Sequence, residues 1–404
     1  MICFGQNGVP RRLALIRCAA GVLLAVSALA SCRSTAGRVT SNPELFGRSA
    51  VQRRLPPDTE TLRVRRIMEG MTIHQKIGQR FICWIEGKEL GGQAAELARQ
   101  GAAGVILYPW NIEDPRQVRQ LTASLQQAAR NSDPPIGFFI GVDQEGGRVA
   151  VFRFRETTRL APAFYWARYE DPRYVTAAAY IAGREIRELG CNMNFAPVLD
   201  LYGRADSTII GDRSMGLDPE EVGKLGIAYL QGARQAGIIP VIKHFPGHGS
   251  STVDSHGRLP VVDLPEDALL ERDFLPFRTA VHAGAEALMT AHVLYPQIDP
   301  EYPATLSKHI LRDILRERYG FQGVIVSDGM AMGALAENFT VADSLELMIQ
   351  AGLDLILVHS RYDLVDLKLE MLRLLYQGEI TEEQIDEGVE RILKLKLRYG
   401  LLPY

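Results

Sequence analysis

The chain has 404 residues, 47% of them hydrophobic, and a formal net charge of -3. That length accommodates one large domain or two ordinary ones, and that apolar fraction a sizeable buried core. A near-neutral chain with no basic cluster past its N-terminus argues against a nucleic-acid partner.

The N-terminus is a different kind of sequence from the rest. Arg11, Arg12 and Arg17 form a positive leader, followed by the apolar stretch 19–30 and then Leu29-Ala30-Ser31-Cys32. A charged start, a short apolar run and small residues before a cut describe a secretory signal. The run is too short to span a bilayer comfortably. A Cys directly after Leu-Ala-Ser resembles the bacterial lipoprotein signal, which implies that Cys32 receives a lipid and becomes the mature N-terminus. An ordinary cleaved signal with an incidental Cys is the alternative. Residues 33–57 are polar and rich in Ser, Arg, Gly and Pro, as a tether would be. The expected organisation is therefore a signal over 1–31, a tether over 32–60 and a single domain over 61–404. Cys83 and Cys191 each lie in an apolar run and are expected to be buried and unpaired.

Beyond Ile67, short apolar runs alternate with longer segments of helical period, the pattern of βα units around a parallel sheet. The expected strands, in order, are 80–85, 104–108, 136–142, 193–199, 239–242, 287–291, 323–326 and 353–358. Between them, helices are expected over 115–130, 172–189, 219–236, 269–283, 307–319 and 342–351. A last helix, 381–397, opens with a Thr-Glu-Glu-Gln start that resembles a capping box. Eight strands alternating with helices predict an α/β fold, a (β/α)8 TIM barrel. No glycine-rich dinucleotide loop follows the first strand, which disfavours a doubly wound open sheet.

A barrel places its functional residues at the C-terminal ends of its strands. Asp143, Asp200, Lys243 with His244, His292 and Asp328 follow five successive strands in this reading. Single acids there are common as turn or cap residues; ionisable groups on five strand ends in a row suggest a site.

The loop from Lys243 to His256 is the most distinctive segment. Pro246, Gly247 and Gly249 exclude a helix. Asp254 and His256 stand two apart, so in extended backbone the carboxylate reaches the imidazole and favours its protonated form, as a proton donor near neutral pH requires. His244, His248 and His256 with Asp254 offer metal binding as an alternative, but the spacing fits no zinc pattern. Asp328, followed by Gly329, is placed to attack an electrophilic carbon, and its alternative role is to cap a helix over 330–335.

These segments together resemble a known family. Val142-Asp143-Gln144-Glu145-Gly146-Gly147-Arg148-Val149, Asn194-Phe195-Ala196-Pro197-Val198-Leu199-Asp200, Gly211-Asp212-Arg213-Ser214, the 243–256 loop, Ala291-His292-Val293, Pro303-Ala304-Thr305-Leu306-Ser307 and Val326-Ser327-Asp328 occur in order. The chain resembles glycoside hydrolase family 3 from about Met71 to its C-terminus, and within it the single-domain β-N-acetylhexosaminidases that trim peptidoglycan fragments.

The resemblance implies that Asp328 is the nucleophile, His256 the general acid/base and Asp254 its orienting partner. It also implies that Asp143, Arg213, Lys243 and His244 hold the sugar's hydroxyls. It implies retention of configuration through a glycosyl-enzyme, with a histidine in place of one of the two usual carboxylates, and no cofactor or metal. Carbohydrate is then the expected partner, with a membrane reached through the lipid and the chain acting as a monomer. A β-glucosidase or β-xylosidase of the same family is the nearest alternative; many of those need a second domain for their acid/base, and the chain's end at Tyr404 argues against one. A non-catalytic sugar-binding lipoprotein is the alternative of another class. Two departures stand out: Val151 occupies the place of a second family Arg, with Arg153 the candidate substitute, and Ser250-Ser251 stand where Asp-Thr is common.

Overall fold

The computed structural model describes residues 56–402 except 90, 170, 204–208, 252–258 and 360. The expected signal, Cys32 and nearly all of the tether lie outside these residues, as do Asp254 and His256 of the proposed proton-transfer pair. The tether's expected end falls inside a helix, Pro57–Glu69, which starts on a proline with fixed φ and an acidic first turn (Asp58, Glu60).

Eight parallel strands close into a barrel. They are β1 (Phe81–Trp84), β2 (Gly104–Ile106), β3 (Phe139–Val142), β4 (Met193–Asn194), β5 (Ile239–Phe245), β6 (Ala287–Thr290), β7 (Val324–Gly329) and β8 (Leu355–Leu357). Closure is made by β8 against β1, with Phe81 opposite Ile356 and Ile82 opposite Leu357. Alternate strand residues separate into two apolar sets. Ile82, Ile106, Phe139, Met193, Val241, Met289, Val326 and Leu355 fill the interior. Phe81, Cys83, Val105, Ile140, Ile242, Leu288, Ile325 and Ile356 face the helices. This period of two, buried on both sides, is what reads in sequence as uninterrupted apolar runs.

All eight expected strands occur, with three changes that bear on function. β5 runs to Phe245 and β7 to Gly329, so Lys243, His244 and Asp328 belong to the ends of strands rather than to the loops that follow. Regular pairing of β4 covers only Met193–Asn194; beyond it the Ala196 N–H turns back to Asn194 O at 2.8 Å, and Pro197 has no N–H to donate. Its path nevertheless continues beside β5, where Lys243 N–H donates to Pro197 O at 3.0 Å and Leu199 N–H to Lys243 O at 2.7 Å.

The helices over 115–130 and 219–236 have the expected ends, capped by Asp114 and Asp218. The expected helix over 269–283 is two pieces, Glu266–Glu271 and Leu275–His282, broken around the buried Asp273 and Pro276. The helix Glu382–Arg398 has the capping box that its Thr381 and Gln384 suggest. Cys83 and Cys191 are buried free thiols, and burial pushes the Cys83 thiol up to about 12. Among the described residues, no helix is long and apolar enough to cross a membrane.

Candidate active site

The C-terminal ends of β3 to β7 converge, and each brings one or more ionisable side chains. The segment after β3 is pinned first. Buried Asn194 accepts from the Gln144 backbone N–H (3.0 Å), and its Nδ2 donates to Gln144 O (3.1 Å) and to the Tyr229 hydroxyl (3.0 Å). The Gln144 side chain exchanges hydrogen bonds with the Phe152 backbone at 2.9 and 3.2 Å. A short antiparallel ribbon, Gln144–Gly146 with Val149–Ala150, is thereby fixed on the barrel rim. Gly147 sits there at φ +57, where a Cβ would meet the Pro162 ring at 2.5 Å.

Four charges interlock behind this ribbon. Lys243 Nζ lies 2.6 Å from Asp143 Oδ1 and 2.7 Å from Glu145 Oε1. Arg213 grips both oxygens of Glu145 from Nε and Nη2, at 2.8 Å each, a bidentate pairing that fixes the guanidinium plane. Burial alone would push the Glu145 carboxyl up, but Lys243 and Arg213 outweigh it and hold it at about 2. Burial alone would likewise lower the Lys243 ammonium; Asp143 and Glu145 raise it above its ordinary value. Glu145, Lys243 and Arg213 are therefore charged at neutral pH. Glu145 is a site residue that the sequence alone does not single out. Its partner Arg213 is sixty-eight positions away, so the only signal was an acid inside an otherwise assigned motif.

A second cluster centres on Asp200, which is fully buried. It accepts from His244 Nδ1–H at 2.7 Å, from the His244 backbone N–H at 3.2 Å and from the His248 backbone N–H at 2.6 Å. Burial raises this carboxyl, while His244, by charge and hydrogen bond, and then His248 bring it below its usual value. Its grip orients the His244 ring and leaves Nε2 as the atom available to another partner. Asp200 also bridges the loops after β4 and β5, which touch backbone to backbone: a Cβ on Gly249 would lie 2.1 Å from Leu201 O, and one on Gly203 2.0 Å from Gly249 O.

Asp328 stands at the end of β7. The helix that follows, Gly333–Ala336, has Met332 at its N-cap, so capping is not the role of Asp328. Its Oδ1 accepts the Gly329 N–H at 2.7 Å. Burial raises the carboxyl, but His244 and His292, then the Gly329 N–H and Lys243, hold it below its ordinary value. It is a carboxylate poised among cationic and hydrogen-bonding groups. His292, at the end of β6, lies 2.8 Å from the Thr305 hydroxyl and 3.2 Å from Gly329 O, and burial lowers its pKa. Tyr108, after β2, completes this side; burial and the nearby charges of Asp143 and Asp328 push its phenol well up.

The structure thus brings together Asp143, Asp200, Arg213, Lys243, His244, His292 and Asp328, and adds Glu145. Val151 packs against the core. Arg153 donates to Ala150 O (2.9 Å) and Arg148 O (2.6 Å), holding the ribbon. Ser250 donates to the buried Asp273 at 2.6 Å. Among the described residues, no cluster of His, Cys, Asp and Glu has metal-binding geometry.

A family model described as "Glycosyl hydrolase family 3 N terminal domain" matches residues 72–395. The chain belongs to glycosyl hydrolase family 3. Among curated family members, it is 34% identical over 324 residues to "Beta-hexosaminidase A" of Pseudoalteromonas piscicida, covering 75% of this chain and 54% of that protein. It is 39% identical over 280 residues to "Beta-hexosaminidase" of Alkalilimnicola ehrlichii, covering 68% and 78% respectively. A glycoside hydrolase family 3 beta-N-acetylglucosaminidase from Paenibacillus sp. str. FPU-7 superposes with a TM-score of 0.79 at 37% identity, over 82% of this chain and 63% of that one. A Beta-N-acetylhexosaminidase from Beutenbergia cavernae superposes with a TM-score of 0.74 at 27% identity, over 81% and 98%. The chain therefore spans about half the length of the first of these curated relatives and most of the second.

Proposed function

We propose that this chain is a retaining exo-β-N-acetylhexosaminidase that removes terminal β-linked N-acetylglucosamine from peptidoglycan fragments or chitooligosaccharides. The observation that carries this reading is the ionised Asp328 at the end of β7, facing the same rim as the Asp143–Lys243–Glu145–Arg213 cluster. The names of the family members that it resembles support N-acetylglucosamine as the sugar.

In this mechanism Asp143, Lys243, Arg213 and His244 engage the hydroxyls of the terminal sugar. An Asp328 oxygen attacks the anomeric carbon and forms a covalent ester as the bond to the leaving oxygen breaks. His256, oriented by Asp254, donates the proton that the leaving oxygen needs; it then takes a proton from the water that hydrolyses the ester. The low Asp328 pKa suits a nucleophile, which must be ionised. Lys243 and Arg213 are neutralised by Asp143 and Glu145, so they present hydrogen-bond donors without excess positive charge at a centre where positive charge develops.

The same proposal includes location. Residues 1–31 direct export, Cys32 carries the lipid, and the polar stretch to residue 56 tethers a monomeric barrel on the periplasmic or cell-wall side of a bacterial membrane.

The wild-type chain should release p-nitrophenol from its β-N-acetylglucosaminide, and Asp328→Ala should lower kcat by roughly a thousandfold or more. No turnover by wild type, or unchanged turnover by the variant, would overturn the reading.

A further inference from the structure

One exposed feature of the barrel rim is left over by this mechanism. Trp110 lies four residues past the end of β2 and is 47% exposed, although burial of an indole is strongly favourable. Its ring stacks on Tyr108, with centroids 4.4 Å apart and planes 19° from parallel. Tyr108 in turn meets His359 edge-on at 6.2 Å and is close enough to Asp143 and Asp328 to feel both charges. A line of aromatic surface therefore runs from beside the proposed nucleophile outward to solvent.

That surface is held rigidly. Pro109–Asn111 form a single tight turn, closed by Asn111 Oδ1 accepting the Tyr108 N–H at 2.9 Å. Asn111 Nδ2 donates to Ile85 O (3.0 Å) and Gly87 O (2.7 Å), and the indole N–H of Trp110 donates to Ile85 O at 3.4 Å. The indole's one polar atom is thus used inward against the segment after β1, and what remains exposed is apolar ring. A flat, pre-ordered ring costs little entropy to bind against, unlike a mobile side chain.

We propose that the Tyr108–Trp110 stack is the subsite for the sugar on the leaving side of the scissile bond, and that Trp110 sets a preference for substrates with a pyranose ring there. The axial C–H groups of a β-linked pyranose form an apolar face that matches an exposed indole, while its equatorial hydroxyls stay in water. The polar cluster of Asp143, Lys243, Glu145 and Arg213 suits the other sugar, whose hydroxyls must be gripped. One rim then recognises two neighbouring sugars by different physics.

This inference rests on the glycosidase reading, and its test separates the two. Two substrates are compared: diacetylchitobiose, with a sugar past the scissile bond, and methyl N-acetyl-β-glucosaminide, with none. Trp110→Ala should lower kcat/KM for diacetylchitobiose about tenfold, chiefly through KM, and for the methyl glycoside by less than about twofold; Trp110→Phe should keep most of the activity. In parallel, Asp328→Asn protein is titrated with diacetylchitobiose and its tryptophan fluorescence followed. The response should vanish when Trp110→Phe is added. Equal losses on both substrates, or no loss on the disaccharide, would overturn the subsite. If wild type turns over neither substrate yet the fluorescence response needs Trp110, the catalytic reading falls and the subsite stands. A wild type without turnover and without a response would overturn both.

Discussion

At the scale of single residues, Glu145 is the member of the site with the most at stake. Its carboxylate sits between Lys243 and Arg213 with only 4% of its side chain exposed. A carboxyl whose folded pKa lies below its unfolded value stabilises the fold at pH above the unfolded value, and loses that contribution as pH falls toward the folded one. For Glu145 the window runs from the ordinary 4.5 down to about 2, and the contribution is on the order of 3 kcal/mol. Glu145→Gln keeps the shape, removes the charge and takes from Lys243 and Arg213 the one carboxylate that pairs with both. It should cost about 3 kcal/mol at neutral pH. Because Asp200 and Asp328 are depressed as well, the variant should still lose stability in acid, but less steeply than wild type. Urea unfolding at a series of pH values measures both effects. Parallel pH profiles for the two proteins would mean that Glu145 is not the low-pKa group described here.

At the scale of elements, the site depends on how the loop after β5 seats against the loop after β4. Gly249 and Gly203 allow their backbones to touch, and Asp200 ties both loops to His244 and His248. Tyr295 adds a hydroxyl bond to Gly247 O at 2.7 Å. Gly249→Ala would force the loops apart, and displacement of about 1 Å in a catalytic loop costs about a hundredfold in rate. The expected result is a kcat/KM loss of that order on p-nitrophenyl β-N-acetylglucosaminide, with the barrel still folded by circular dichroism. Activity within about threefold of wild type would show that the contact does not position the site. The sequence made the loop itself visible, since Pro246, Gly247 and Gly249 exclude helix. It did not show where β5 ends. A strand buried on both faces has no polar alternation to mark its last residue, so Lys243 and His244 read as loop residues although the ladder carries them. The helix over 269–283 failed for the opposite reason: its apolar period continues through Arg272–Phe274, while Asp273 turns inward to accept from Ser250, an interaction with no local signal.

At the scale of the molecule, no two neighbouring strands hold a complete site. Asp143 comes after β3, Asp200 after β4, Lys243 and His244 from β5, His292 after β6 and Asp328 from β7. The barrel was legible because eight apolar runs alternated with helical ones, and the strand-end rule then predicted where the ionisable groups converge. What could not be read was pairing at a distance: the Glu145–Arg213 fork and the Asp200 hub each join segments brought together only by closure. Trp110 was invisible for the same reason, since a single indole in Tyr-Pro-Trp-Asn gains meaning only beside Tyr108 on the finished rim. The mechanism turns on the covalent step at Asp328. Incubation with a 5-fluorinated N-acetylglucosaminyl fluoride, whose glycosyl-enzyme forms faster than it hydrolyses, tests it by mass spectrometry of the digested protein. One sugar should be attached to the peptide that contains Asp328, and none in Asp328→Ala. A sugar on another residue, or turnover of the reagent with no adduct, would contradict it.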